Sequence, residues 1–124
     1  MKYKKSVGLF YLLPTAFLLL CSQSALAETL KTKTFRVTIT RNCPEGYVTC
    51  NNVTYYGKNL KTGSSIRLTG KTIHTTCADG VTPCRFLGYE FRNKPYLYRV
   101  TEDGRLQIYR EKKLILEEKG TISS

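Results

Sequence analysis

The sequence predicts a small all-β domain: an antiparallel barrel or sandwich of about 7–8 strands, stapled by disulfides and ending in a four-strand meander. Three observations carry this. Apolar residues alternate with period two along much of the chain, and no stretch after the N-terminal segment keeps a 3.6-residue period. Two cysteine pairs have identical spacing, Cys43-Pro-Glu-Gly-Tyr-Val-Thr-Cys50 and Cys77-Ala-Asp-Gly-Val-Thr-Pro-Cys84, each with an acidic residue and a glycine at its third and fourth positions. Such a pair suits a tight turn, because glycine enters the left-handed region at no steric cost.

The cysteines also bear on compartment. Residues 1–27 have the layout of a secretory signal: Lys2, Lys4 and Lys5, an apolar run from Val7 to Leu20, and small residues at Ala25 and Ala27 that place cleavage before Glu28. The apolar run is shorter than a bilayer span and carries Pro14, which argues against a retained anchor. Lipid attachment at Cys21 is disfavoured, because Leu20 stands where a small residue is expected. The remaining domain, residues 28–124, then holds four cysteines, an even number in an exported chain, which reads as two disulfides. Three connectivities are open. Local pairing, Cys43 with Cys50 and Cys77 with Cys84, is favoured because each pair flanks its own turn. A four-cysteine zinc site expects tighter pairs and a reducing compartment.

Strands follow in order. From Thr34 to Thr40, Phe35, Val37 and Ile39 share one face and Arg36 and Thr38 the other, the pattern of a half-buried strand. Val53 and Tyr55 begin a second strand that ends near Gly57 and Asn59. Lys61-Thr-Gly-Ser64 signals a turn, Ile66 and Leu68 form a third strand that Gly70-Lys71 breaks, and Thr72-Ile-His74 leads into the second cysteine pair.

The C-terminal half is read as four strands, roughly 85–92, 95–101, 105–110 and 113–118. A two-residue loop at Asn93-Lys94 pairs Phe91 with Tyr96 and Tyr89 with Tyr98. At the next turn a two-residue loop splits the apolar face, whereas the three-residue loop Glu102-Asp-Gly104 sets Val100 against Leu106 and Tyr98 against Ile108. A last hairpin near Arg110-Glu-Lys112 sends Leu114 and Leu116 inward. The inner face is Leu87, Tyr89, Phe91, Tyr96, Tyr98, Val100, Leu106, Ile108, Leu114 and Leu116. The outer face sets Phe86, Leu97, Tyr109 and Ile115 among Glu90, Arg92, Arg99, Arg105 and Lys113, with Leu97 opposite Tyr109. Either the N-terminal strands cover this face or it is a protein-binding patch with a basic rim.

Several chemistries are disfavoured. The one histidine, His74, lies three residues before a cysteine expected to be oxidised; Ser64 and Ser65 lack the strand-to-helix elbow of a hydrolase nucleophile. Asp79 and Asp103 precede glycines in turns, where they cap local backbone. Glu90, Glu102, Glu117 and Glu118 sit beside basic residues on solvated positions, which disfavours a glycosidase pair. The expectation is therefore no enzyme, no cofactor and no metal.

Charge points to partners. Loss of Lys2, Lys4 and Lys5 with the signal leaves 17 basic against 9 acidic residues, a formal +8 on 97 residues. Basic residues interleaved with tyrosine suit polyanions. For an exported chain, however, the anions within reach are acidic proteins, envelope polymers and membrane headgroups rather than nucleic acid. The first expectation is a non-enzymatic binding module of the bacterial periplasm or cell surface, secreted or periplasmic, that engages an acidic protein or an anionic envelope polymer through Leu97, Arg99, Tyr109 and Lys113; peripheral contact with a membrane surface is compatible with the charge. The alternative is an inhibitor or immunity protein that blocks an enzyme such as a lysozyme or other wall hydrolase with the stapled loop Ala78–Pro83, through Asp79 and Val81. The layout is similar to that of bacterial lysozyme inhibitors, which are small exported β-barrels with disulfides. Against that likeness stands the basic charge, which would repel a cationic target.

Overall fold

The computed structural model describes residues 26–124. The expected signal segment, Cys21 included, lies outside the described residues apart from Leu26 and Ala27; cleavage before Glu28 would still leave Glu28–Lys31 paired with Arg36–Ile39. Nine antiparallel strands form one sheet: β1 Leu26–Lys31, β2 Phe35–Arg41, β3 Val53–Asn59, β4 Ser65–Thr76, β5 Pro83–Asn93, β6 Tyr96–Thr101, β7 Arg105–Arg110, β8 Lys113–Lys119 and β9 Thr121–Ser123. Among the described residues there is no helix. Each strand from β1 to β8 pairs with its neighbours in sequence, and β9 pairs with β1.

The sheet is a nearly closed barrel, and the segment that closes it is β8–β9. Its first part extends β7 and its last part extends β1, with Gly120 at the junction. A Cβ at Gly120 would lie 2.1 Å from the Lys31 carbonyl oxygen, so only glycine allows this approach. Glu118 fixes the seam by accepting from the Thr32 hydroxyl at 2.7 Å and the Thr34 amide at 3.3 Å. Burial pushes the Glu118 carboxyl up, but these hydrogen bonds outweigh it and hold the group below its usual range.

Period-two patterning built the interior. Leu30, Val37, Ile39, Val53, Tyr55, Tyr89, Phe91, Val100 and Leu106 are all at most 3 % exposed, and they come from strands all round the barrel. Aromatic rings join opposite walls, with Tyr55 at 5.2 Å from Phe91 and 5.4 Å from Tyr98 between ring centroids. Each aromatic pair adds about 0.5–1.5 kcal/mol beyond area burial. Both local disulfides form as expected, Cys43–Cys50 and Cys77–Cys84, and they fit an oxidising compartment.

The register departs from expectation in four places. Gly70 does not break a strand: β4 runs unbroken through it, and a Cβ there would lie 2.0 Å from the Glu90 carbonyl oxygen, so the glycine admits β5 at close range. The β5–β6 loop is Lys94-Pro95 rather than Asn93-Lys94, with a cis peptide between them, so Phe91 faces Tyr98 and Tyr89 faces Val100. The shift spans two positions, so every residue keeps its face. Leu87, expected inside, lies outside, because a bulge in β5 pairs Ile73 with Gly88 but His74 with Phe86, and Phe86 packs on the core instead. Leu114, also expected inside, is 43 % exposed. Glu111-Lys112, both with positive φ, make a two-residue turn that sets Tyr109 against Leu114; a bulge at Ile115 then restores Leu116 opposite Ile108.

The short strands β1 and β9 bring the count to nine, one more than the upper expectation. His74 packs edge-on to Phe86, with centroids 5.5 Å apart.

Candidate binding site

The outer face of β5–β6–β7 is left bare by the barrel, because the N-terminal strands complete the wall instead of lying across it. Here the register makes two cross-strand rows. Arg92, Leu97, Tyr109 and Leu114 stand opposite one another in turn, and Glu90, Arg99 and Gln107 form the next row. Side chains that face each other across strands touch directly, which is why the pairing expected between Leu97 and Tyr109 creates an apolar floor.

Arg99 is held over that floor from two sides. Its Nη2 donates to Glu90 Oε2 at 3.1 Å and its Nε to the same oxygen at 3.3 Å, while its guanidinium carbon lies 5.6 Å from the Tyr109 ring centre. Arg92 approaches the other Glu90 oxygen at 3.8 Å. Glu90 is buried, and its carboxylate anchors both guanidinium groups. Gln107 accepts from the Tyr109 hydroxyl at 3.4 Å and donates to Glu117 at 2.7 Å, which fixes the far edge.

Two hairpin turns build the walls. Lys94-Pro95 and Glu111-Lys112 stand side by side, because β6 and β7 are antiparallel neighbours and β6 starts opposite the end of β7. With Tyr96 they complete a depression of about 320 Å³ lined by Arg92, Lys94, Pro95, Tyr96, Leu97, Arg99, Tyr109, Glu111 and Lys112. The lining sets four cations and one carboxylate around two tyrosines and a leucine, and Glu90 beneath it pairs with two of the cations, Arg92 and Arg99, so the depression is basic on balance with an apolar floor. The Arg110 guanidinium lies 5.7 Å from the Tyr96 ring centre and adds charge at the rim.

Of the residues singled out in the sequence, Leu97, Arg99 and Tyr109 meet in this depression. Lys113 is exposed at the start of β8, next to Lys112 but outside the lining. Asp79 and Val81 are elsewhere: they sit in the loop that enters β5, whereas the depression lies where β5 ends. Lys94, Pro95, Tyr96, Glu111 and Lys112 were not singled out as site residues. Pro95 and the two lysines mark turns, and only the adjacency of two turns makes them one wall.

The stapled loop at Asp79 is rigid in its own right. One carboxylate oxygen accepts from the amides of Val81 and Thr82, each at 2.9 Å, and the other accepts from the Thr82 hydroxyl. Val81 stands 80 % exposed above this turn. In comparison with known proteins, no family model, no curated protein and no solved structure matches the chain.

Proposed function

We propose that this chain is an exported, non-enzymatic binding protein of the bacterial periplasm or cell surface, and that the Arg99–Tyr109 depression engages an acidic protein or an anionic envelope polymer. The observation that carries this reading is a pair of guanidinium groups held by the buried Glu90 beside a half-buried Leu97–Tyr109 floor, with lysines on both flanking turns. Pre-oriented arginines lose little freedom on binding, and the aromatic floor supplies contact area that charge alone does not.

The test is retention of envelope components on the immobilised protein through a rising salt gradient, repeated with the Leu97→Ser/Tyr109→Ser double variant. A specific partner is held to high salt by the native protein and at least about tenfold more weakly by the variant, with cooperative unfolding preserved. Equal retention by both proteins removes the depression from the account.

One observation favours a second reading, an inhibitor or immunity protein acting on a lysozyme or other wall hydrolase. Val81 is presented on a loop closed by a disulfide and held by three bonds to Asp79, the pre-organisation that a cleft-plugging loop needs. Val81→Asp would then abolish inhibition of the target enzyme and leave binding at the depression intact.

A further inference from the structure

A second cavity, of about 240 Å³, lies at the barrel mouth near the β3–β4 turn, separate from the outer depression. Its walls are Phe35, Tyr55, Gly57, Ile66, Tyr98 and Ile108, contributed by β2, β3, β4, β6 and β7, so it sits at one mouth of the barrel, partly open to solvent. The remaining lining residues are uncharged as well, and exposed Ser64 and Ser65 form the rim.

Tyr55 is the unusual member. It is 1 % exposed, and among the described residues its hydroxyl has no hydrogen-bond partner, although a buried hydroxyl without one is costly. The ring folds over Gly57, where a Cβ would meet the hydroxyl at 2.7 Å, so the glycine makes room for the phenol at the cavity wall. Burial, and secondarily the neighbouring Tyr98, push its titration well above the ordinary tyrosine value, so it stays a neutral donor at any physiological pH. The Tyr98 phenol is also pushed up by burial, an effect partly offset by the Asn93 side chain. The void greatly exceeds the roughly 10–15 Å³ that one water needs, so several waters would occupy it and could be displaced by an apolar body.

We infer that this barrel mouth is a binding site for a small uncharged ring compound bearing one hydrogen-bonding group, with the ring against Phe35, Ile66 and Ile108 and the polar group on the Tyr55 hydroxyl. The uncharged lining disfavours ions, and the volume limits the occupant to a fragment-sized molecule. This site is independent of the outer depression, since no residue lines both.

The test uses phenol and benzene as paired probes, with amide chemical shifts of the folded chain as the readout. Phenol is expected to give saturable shifts centred on Gly57, Ser65 and Ile66, and to bind about tenfold more tightly than benzene, because only phenol satisfies the Tyr55 hydroxyl. Tyr55→Phe should abolish that preference while benzene still binds, and Ser65→Trp, at the exposed rim, should exclude both. The inference fails if phenol gives no saturable shifts at millimolar concentration, if they centre elsewhere, or if Tyr55→Phe keeps the full preference. Should Tyr55→Phe not fold, Ser65→Trp decides: phenol binding undiminished by it overturns the site.

Discussion

The two stapled loops share a spacing and differ in almost everything that determines what a staple does. In the first, Cys50 is 2 % exposed and belongs to the core; its amide donates to the Thr72 hydroxyl at 3.0 Å and its carbonyl accepts from the Thr72 amide at 2.9 Å. In the second, Cys84 is exposed, and the loop is closed by its own hydrogen bonds, Cys77 amide to Thr82 carbonyl at 2.8 Å and Gly80 amide to Cys77 carbonyl at 2.9 Å, together with the Asp79 turn. The first staple thus ties a loop to the barrel wall, and the second encloses a loop that is ordered already. Identical sequence spacing sets the entropy of closure; the surroundings set what else depends on it.

Breaking each staple in turn should separate these two contributions. Closing an eight-residue loop restricts the unfolded chain by about 2.5 kcal/mol in either case. Cys43→Ala/Cys50→Ala also removes a buried sulfur from the core, for a total near 3–4 kcal/mol and a fall in Tm of more than about 10 °C in thermal unfolding followed by circular dichroism. Cys77→Ala/Cys84→Ala should cost no more than about 2.5 kcal/mol, the closure contribution alone. Equal losses would show that Thr72 and the core around Cys50 contribute nothing beyond loop closure, and the contrast would collapse.

The same separation between local rule and surroundings explains how much was legible in the sequence. Alternation and turn chemistry act over a few residues, so the strand faces, the Glu102–Gly104 loop, both disulfides and the Leu97–Tyr109 pair could all be read directly. Moving the β5–β6 loop one residue along, to Pro95, changed partners but preserved faces, because the shift was even. The bulges in β5 and at Ile115 were not legible. Each inserts one residue into one strand, and only the competition between packing on the two faces decides where; Leu87 and Leu114 were misplaced for that reason. β1 follows closely on the apolar run that ends at Leu20, which masks its alternation, and β9 is three residues long, too short for any period to register. The candidate depression was half visible: its floor follows from register, its lysine-bearing walls from two turns that become neighbours only when the sheet forms.

The finest distinction between the loops is their response to acid. The Asp79 carboxyl is held at about 2, below its ordinary 3.8, first by the Thr82 hydroxyl and then by the amides of Val81 and Thr82. A carboxylate whose titration is lower in the folded loop than in the unfolded chain stabilises the fold in full above about 4, and that contribution is lost as pH falls through about 2. The amides of Val81 and Thr82 should therefore shift with a midpoint near 2 in a pH titration followed by NMR. Those of Cys50 and Thr72, whose partners are a hydroxyl and a carbonyl, should stay fixed over the same range for as long as the barrel remains folded. Asp79→Ala should erase the Val81 and Thr82 response and leave Cys50 and Thr72 unmoved. A Val81 midpoint near 3.8 would mean that the carboxylate is not held by the loop, leaving the disulfide and the two backbone hydrogen bonds at Cys77 to order it and Val81 on a softer mount.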